Sequence, residues 1–286
     1  MYQNILVTTG GSPWSEAAVA YAIAIAAQTG AHLHILTVLV HPGVYAYPDV
    51  IGGSDLVSEV IERDARDLLW QAAEKAHQAG VICETAWRWG SVIDTILQTV
   101  EETPYDLVVI GARKVSGWKR LRLGHIANAV AAKARQPVLV VKQPPAAMIH
   151  MPFGQRFLVA TGGSPWSEAA ITHALKLAQG QCATICFLHV LSGHRASVEA
   201  EEEGRRILDR AEARAKGTGV AITSRIARGD IASAIIDTAV ESSCDTIIVG
   251  SRGSSGWKRL MVGSISNAVA VKTDLPVLIV KRFLPL

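Results

Sequence analysis

The chain has 286 residues, of which 49% are hydrophobic and 19% charged, and its formal net charge is +3. This length allows about two domains with large buried cores, and the composition excludes disordered, collagen-like and disulfide-scaffold chains. So small a positive charge does not indicate a nucleic-acid partner. The sequence has no visible signal peptide, no apolar run long enough to cross a bilayer and no C-x-x-C among its cysteines. We therefore expect a cytoplasmic protein without membrane association.

Short apolar runs alternate with helical patterns along the chain. The predicted strands of the first half are Ile5 to Thr9, Leu33 to Leu39, Ile82 to Trp87, Leu107 to Ile110 and Val138 to Val141. Those of the second half are Phe157 to Thr161, Ala183 to Val190, Ala221 to Ile226, Thr246 to Val249 and Val277 to Val280. Continuous β-branched runs separated by helices are typical of parallel sheets covered on both faces. We predict an α/β fold with two tandem, doubly wound, five-stranded parallel sheets.

The two halves are copies of one domain. Gly10 to Ala18 recurs letter for letter as Gly162 to Ala170, and in each copy this segment opens the first helix with a serine cap followed by proline. The first copy carries an insertion around the loop His41 to Pro48. We predict domains over residues 1–142 and 154–286, joined by a proline-rich linker over 143–153.

The loop after the fourth strand of the second copy is a candidate phosphate site, because doubly wound sheets bind ligands where the strand order reverses. The loop has Gly250, two residues, Gly253, nine residues, and then Gly263 followed by Ser264. Glycines allow close approach of the backbone to an anion, and free N–H groups and hydroxyls at the start of a helix can hold phosphate. Positive charge comes from Arg252, Lys258 and Arg259.

This pattern, G-x-x-G, nine residues, G-[ST], resembles the nucleotide-binding signature of the universal stress proteins, and the resemblance covers both copies. It implies two domains packed about a pseudo-twofold axis, with Val138 to Val141 and Val277 to Val280 paired across the interface. It also implies that the second domain binds ATP or another adenine nucleotide, with or without Mg. The residues implied around this nucleotide are Ala160, Thr161, Gly162, Val190, Val249, Gly250, Arg252, Gly253, Gly263, Ser264, Ile265 and Ser266.

The sequence departs from that family pattern in two ways. In the first copy, Lys114 replaces the second glycine, while His125 and Ala127 replace the hydroxyl residues. Lys114 either fills the phosphate cavity with its own ammonium or recruits a phosphate by its charge, and we expect nucleotide binding in the family manner mainly in the second copy. In both copies a glycine, Gly10 or Gly162, stands where ATP-binding members usually carry an aspartate that contacts the nucleoside. Losing one charge-assisted hydrogen bond weakens binding about ten- to a hundredfold.

Catalysis is not indicated. The Walker pattern G-x-x-x-x-G-K-[ST], H-E-x-x-H and G-x-S-x-G are missing from the sequence. His189 lies at a strand end near the proposed pocket, but no acid or nucleophile adjoins it, so we expect at most slow ATP hydrolysis. His32 and His34 share one strand face, which is more typical of an ordinary strand position than of a metal site. We predict no metal site.

We interpret the chain as a nucleotide-responsive regulator of stress adaptation with an unidentified protein partner. Two further interpretations stay open. The chain can be a nucleotide-independent scaffold that keeps only the paired-domain fold, or its site can be adapted to another ligand. Duplication makes an intramolecular pseudo-dimer, and a homodimer of the whole chain is compatible with it. The matching tryptophans, Trp14 with Trp166 and Trp118 with Trp257, are expected to anchor the loops by packing.

Overall fold

The computed structural model describes residues 2–41, 54–115, 122–142, 154–179, 183–192, 197–252 and 263–281. The elements of the first half are β1 (Asn4–Thr8), α1 (Pro13–Thr29), β2 (His32–Leu39), α2 (Ser54–Gln78), β3 (Cys83–Trp89), α3 (Val92–Glu102), β4 (Leu107–Gly111), β5 (Lys114–Val115), β6 (Arg122–Leu123), α4 (His125–Lys133) and β7 (Val138–Val141). Those of the second half are β8 (Arg156–Ala160), α5 (Pro165–Ala178), β9 (Thr184–Leu191), α6 (Val198–Ala215), β10 (Ala221–Arg228), α7 (Ile231–Glu241), β11 (Thr246–Gly250), α8 (Ser264–Lys272) and β12 (Val277–Val280).

The two halves share one ten-stranded sheet, ordered β10-β9-β8-β11-β12-β7-β4-β1-β2-β3. Neighbouring strands within each half are parallel, whereas β12 and β7 pair antiparallel with Leu278 opposite Leu139. The expected pairing of the terminal strands is thus confirmed, and the two predicted five-stranded sheets are halves of one continuous sheet. In the second half the strand order reverses between β8 and β11, as the doubly wound topology requires.

Two hydrophobic cores cover the two faces of the sheet. One contains apolar residues of α1, α2, α5 and α6, and the other contains those of α3, α4, α7 and α8. The terminal strands contribute to both cores, since Leu139 and Leu278 point to the first, and Val138 and Val277 to the second. Because side chains alternate between the faces of a strand, the antiparallel pairing makes each core continuous across the domain interface.

The predicted helix starts are confirmed. Ser12 precedes α1 and accepts a hydrogen bond from the Ser15 N–H, and Ser164 does the same for Ser167 at the start of α5. These bonds satisfy one of the N–H groups that a helix leaves free in its first turn.

Several local features differ from the expectations. The antiparallel pair β5–β6 was not predicted, since each strand has only two residues. β3 begins one residue later and ends two residues later than predicted; it is an edge strand, and Ile82 just before it is 65% exposed. Cys83, Cys186 and Cys244 are free thiols. The predicted insertion loop beyond His41, the linker over 143–153 and Cys182 lie outside the described residues.

Candidate functional site

The predicted nucleoside residues lie at the carboxyl ends of three neighbouring strands. Ala160 ends β8 and is paired with Val249, the penultimate residue of β11. On the other side of β8, Ala160 is paired with Leu188 of β9, two residues before Val190. The structure therefore brings these predicted residues to one edge of the sheet, at the point where the strand order reverses.

Gly250 is required by helix packing. A Cβ at this position would lie 2.7 Å from the carbonyl carbon of Trp166 and 2.9 Å from the nitrogen of Ser167, in the first turn of α5. The matching Gly111 is equally crowded, because its Cβ would lie 2.5 Å from the carbonyl oxygen of Trp14. Sequence reasoning assigned Gly250 to phosphate approach, whereas the contact that excludes a side chain here comes from the protein itself.

The start of α8 presents backbone N–H groups to the same edge. Ser264 is exposed, Ile265 is half-buried, and Ser266 is 1% exposed. The Ser266 hydroxyl donates to the Gly263 carbonyl at 3.1 Å, so it is directed at its own helix. The Gly263 N–H donates to the Ser251 carbonyl at 2.8 Å, which holds the helix start against the loop, and a Cβ at Gly263 would lie 2.7 Å from that same oxygen.

In the described part of the second domain, α8 differs from the other helices in how it begins. The N-cap residues of α5, α6 and α7 are Ser164, Ser197 and Asp230, and each side chain accepts a hydrogen bond from the backbone three residues later. The N-cap of α8 is Gly263, and no side-chain cap is present there. The first N–H groups of α8 are thus left to a partner other than an N-cap side chain, and the positive end of the helix dipole favours an anion.

Arg252 follows the fourth strand of the second half and lies over an aromatic ring. Its guanidinium carbon is 5.7 Å from the ring centroid of Trp166. The first domain repeats this contact at the same distance between Arg113 and Trp14. Sequence reasoning recognised the matched tryptophans and the arginine separately but missed their contact, which the repeat could have revealed because both pairs recur. The attraction between the guanidinium and the ring face restricts where each arginine side chain can lie.

Thr161, at the centre of the predicted nucleoside site, has both of its backbone polar groups engaged. Its N–H donates to the Leu188 carbonyl at 2.9 Å, and its carbonyl accepts from Nδ1 of His189 at 2.9 Å. Because a carbonyl can only accept, Nδ1 of His189 carries the proton. His189 therefore fixes the strand end of the site. In the first domain Thr37 takes this position and donates to the Thr9 carbonyl at 2.9 Å.

The larger histidine is accommodated by a smaller residue on the facing helix. A Cβ at Gly204 of α6 would lie 2.8 Å from Cδ2 of His189. In the first domain the repeat places Ala65 opposite the smaller Thr37. The volumes of the two positions are therefore exchanged between the copies, and sequence reasoning overlooked this pair.

Gly162, by contrast, is open. It is exposed, and a Cβ there would meet nothing within 4 Å, as is also true of Gly10 in the first domain. The missing aspartates therefore leave free space at both sites.

Lys281 adds positive charge beside the loop. Burial, and then the nearby charge of Arg252, lower the pKa of Lys281 to about 8.

The first domain offers a different surface at the matching place. Lys114 lies in β5 and is paired with Leu123 of β6. His125 opens α4 and is exposed, and Ala127 is buried where Ser266 stands in the second copy. Gly253, Lys258, Arg259, Trp118 and Trp257 lie outside the described residues.

The two histidines of β2 have different surroundings. His34 contacts the Tyr105 hydroxyl at 3.2 Å and the Glu84 carboxylate at 3.8 Å, while His32 is exposed. Over the described ranges, no group of three or more His, Cys, Asp or Glu side chains is arranged to hold a metal ion. Within the same ranges, no helix is long and apolar enough to cross a membrane.

The fold and the site define a duplicated, doubly wound α/β protein with a candidate anion site at the strand reversal of its second half. The model of the universal stress protein family matches residues 1–142 and 154–281. The chain therefore belongs to the universal stress protein family, as two tandem copies.

Known proteins agree with this membership. A universal stress protein of Mycolicibacterium smegmatis is 28% identical over 296 residues, which cover 97% of this chain and 97% of that protein. The universal stress protein YxiE of Bacillus subtilis is 35% identical over 147 residues, covering 44% of this chain and 98% of that protein. A crystal structure of a universal stress protein from Archaeoglobus fulgidus has a TM-score of 0.77 at 22% identity, with 98% of both chains covered. This last similarity concerns the fold.

Proposed function

We propose that the second domain binds an adenine nucleotide, ATP foremost, and that the protein acts as a nucleotide-responsive regulator in the stress response. The phosphates would lie against the start of α8 and the loop after β11, where Arg252 supplies positive charge. The nucleoside would lie over the ends of β8 and β9, near Gly162 and Val190.

One observation carries this proposal: α8 lacks the side-chain cap that begins α5, α6 and α7, and it follows β11, one of the two strands beside the strand reversal. In the first domain α4 also begins at an uncapped glycine, Gly124, but its loop carries Lys114 in place of the second glycine. Three helices of one domain satisfy their first turn from within the chain, so an N-terminus left open at the ligand-binding edge favours an external anion. Together with the glycine pattern that resembles the family signature, this favours a nucleotide over an uncharged ligand.

The first domain would not bind nucleotide in the same way, because Lys114 stands where the second glycine is needed. The first domain instead completes the paired-domain architecture, because its β7 pairs with β12 of the second domain. The scaffold interpretation keeps one observation in its favour, the absence of an aspartate at both Gly10 and Gly162.

Calorimetric titration with ATP tests the proposal when it is run on a reciprocal pair of variants. Gly253→Lys gives the second loop the residue of the first, and Lys114→Gly gives the first loop the residue of the second. We expect one site in the wild type, loss of that site in Gly253→Lys, and no loss in Lys114→Gly. Thermal unfolding of each variant serves as the control for folding.

The outcomes separate the alternatives. One site lost only in Gly253→Lys supports nucleotide binding by the second domain. Two sites in the wild type would show that the first domain binds as well. Absence of binding at millimolar ATP would overturn the proposal and favour the scaffold.

A further inference from the structure

A buried lysine of the first domain contacts the end of a second-domain helix. Lys142 directly follows β7 and is 4% exposed. Its ammonium donates to the Val271 carbonyl at 2.9 Å and also to the Thr273 carbonyl. These carbonyls belong to the last turn of α8 and the residue that ends it, where a helix leaves its C=O groups without intrahelical partners.

The second domain returns the same contact. Lys281 directly follows β12, and its ammonium donates to the carbonyls of Ala131 and Ala132 at 2.5 and 3.1 Å, near the end of α4. The two terminal strands therefore pair at the domain interface, and each is followed by a lysine that donates to carbonyls at the end of the opposite domain's last helix. A positive charge at this end of a helix is favourable for its dipole.

The residue before each lysine contacts the loop of its own domain that follows the fourth strand. The Val141 carbonyl accepts from the Ala112 N–H, and the Val280 carbonyl accepts from the Ser251 N–H, both at 2.7 Å. The backbone thus joins each domain's loop to a lysine that holds the opposite domain's helix. α8 therefore has an uncapped N-terminus at the candidate phosphate site, and its C-terminal carbonyls contact Lys142 of the first domain.

We infer that Lys142 is a positioning residue for the nucleotide phosphates of the second domain, acting across the domain interface through α8. This inference rests on the proposed nucleotide binding. The nine residues of α8 span about 13.5 Å, a distance over which an ammonium still attracts phosphate charge through protein. The ammonium also fixes the last turn of α8, because the Val271 and Thr273 carbonyls would otherwise lack this donor.

The test compares Lys142→Met with Lys272→Met in the full chain. Lys272 lies in the last turn of α8, but its side chain is 47% exposed and faces Asp230 at 3.7 Å, so its loss removes a nearby charge and leaves the Lys142 contacts intact. Affinities for ATP and for adenosine are measured by calorimetry. We expect Lys142→Met to weaken ATP binding about five- to tenfold and adenosine binding less than about twofold. Lys272→Met should change neither affinity by more than about twofold.

Hydrogen exchange without ligand provides a readout that does not depend on nucleotide. Lys142→Met should speed exchange in the last turn of α8 and not in α4, and Lys281→Met should do the reverse. Lys142→Gln, which keeps a donor without the charge, is measured in parallel so that a folded variant is at hand if the methionine variant unfolds.

The results distinguish the two proposals. If the wild type binds no ATP, the proposed function fails, while the exchange pattern still tests the reciprocal lysine contacts. Wild-type ATP affinity in a folded Lys142 variant, equal losses for ATP and adenosine, or unchanged exchange in α8 would each overturn the positioning role.

Discussion

Restoring the aspartate at Gly162 should strengthen ATP binding, and the structure allows the size of this effect to be worked out. Gly162 is exposed and does not have a positive φ, and a Cβ there meets nothing within 4 Å. Gly162→Asp therefore adds a carboxylate without displacing a neighbour or straining the backbone. If that carboxylate makes one charge-assisted hydrogen bond to the nucleoside, the gain is about 1.5–3 kcal/mol, or about ten- to a hundredfold in affinity.

The assay is calorimetric titration with ATP, with two comparison variants. Gly162→Asn keeps a hydrogen-bonding side chain but removes the charge, so its gain should be smaller, about two- to tenfold. Gly10→Asp makes the same change in the equally open position of the first domain and should leave the second site unchanged. A folded Gly162→Asp protein that binds ATP no more tightly than the wild type would refute the placement of the nucleoside at this strand end.

Three further changes test the packing and the domain interface. Gly250→Ala should destabilise the chain by about 1–3 kcal/mol in chemical denaturation, because its Cβ meets the backbone of α5; an unchanged midpoint would contradict the close contact. Gly204→Ala should also destabilise, and adding His189→Thr should recover most of the loss, since the pair then resembles the first domain; additive losses in the double variant would show that the two side chains do not interact. Nδ1 of His173 forms a hydrogen bond with the Tyr2 hydroxyl at 2.8 Å across the domain interface. Burial, with a smaller effect of the Lys176 charge, lowers the pKa of His173 from 6.5 to about 4. The unfolded chain therefore binds more protons between these values, so stability should fall by up to about 3 kcal/mol as pH drops from 6.5 to 4, and His173→Gln should flatten this dependence.

Local patterns were sufficient to predict much of the fold. The serine and proline at the start of α1 and α5 act within one helical turn, and the β-branched runs are long enough to identify the strands of the sheet. The pairing of β7 with β12 was predicted through the family resemblance, because a run of valines by itself does not specify its neighbour.

The site was predicted less completely, because several of its contacts join residues far apart in the chain. The sequence identified Gly250 as significant, but the turn of α5 that excludes its side chain lies more than eighty residues earlier. The His189–Gly204 pair depends on how α6 lies across β9. The repeat places a lysine after both terminal strands, Lys142 and Lys281, but nothing local in the sequence specifies that each contacts a helix of the opposite domain.

Backbone amide shifts at the start of α8 test the central claim most directly. The measurement is a ¹H–¹⁵N spectrum of the wild-type chain titrated with ATP, followed at Ser264, Ile265 and Ser266 and, for comparison, at the start of α4. Phosphate bound at the open N-terminus should shift the α8 amides downfield and leave those of α4 in place. Unshifted α8 amides at saturating ATP, or equal shifts in both helices, would contradict a nucleotide site built on the second domain.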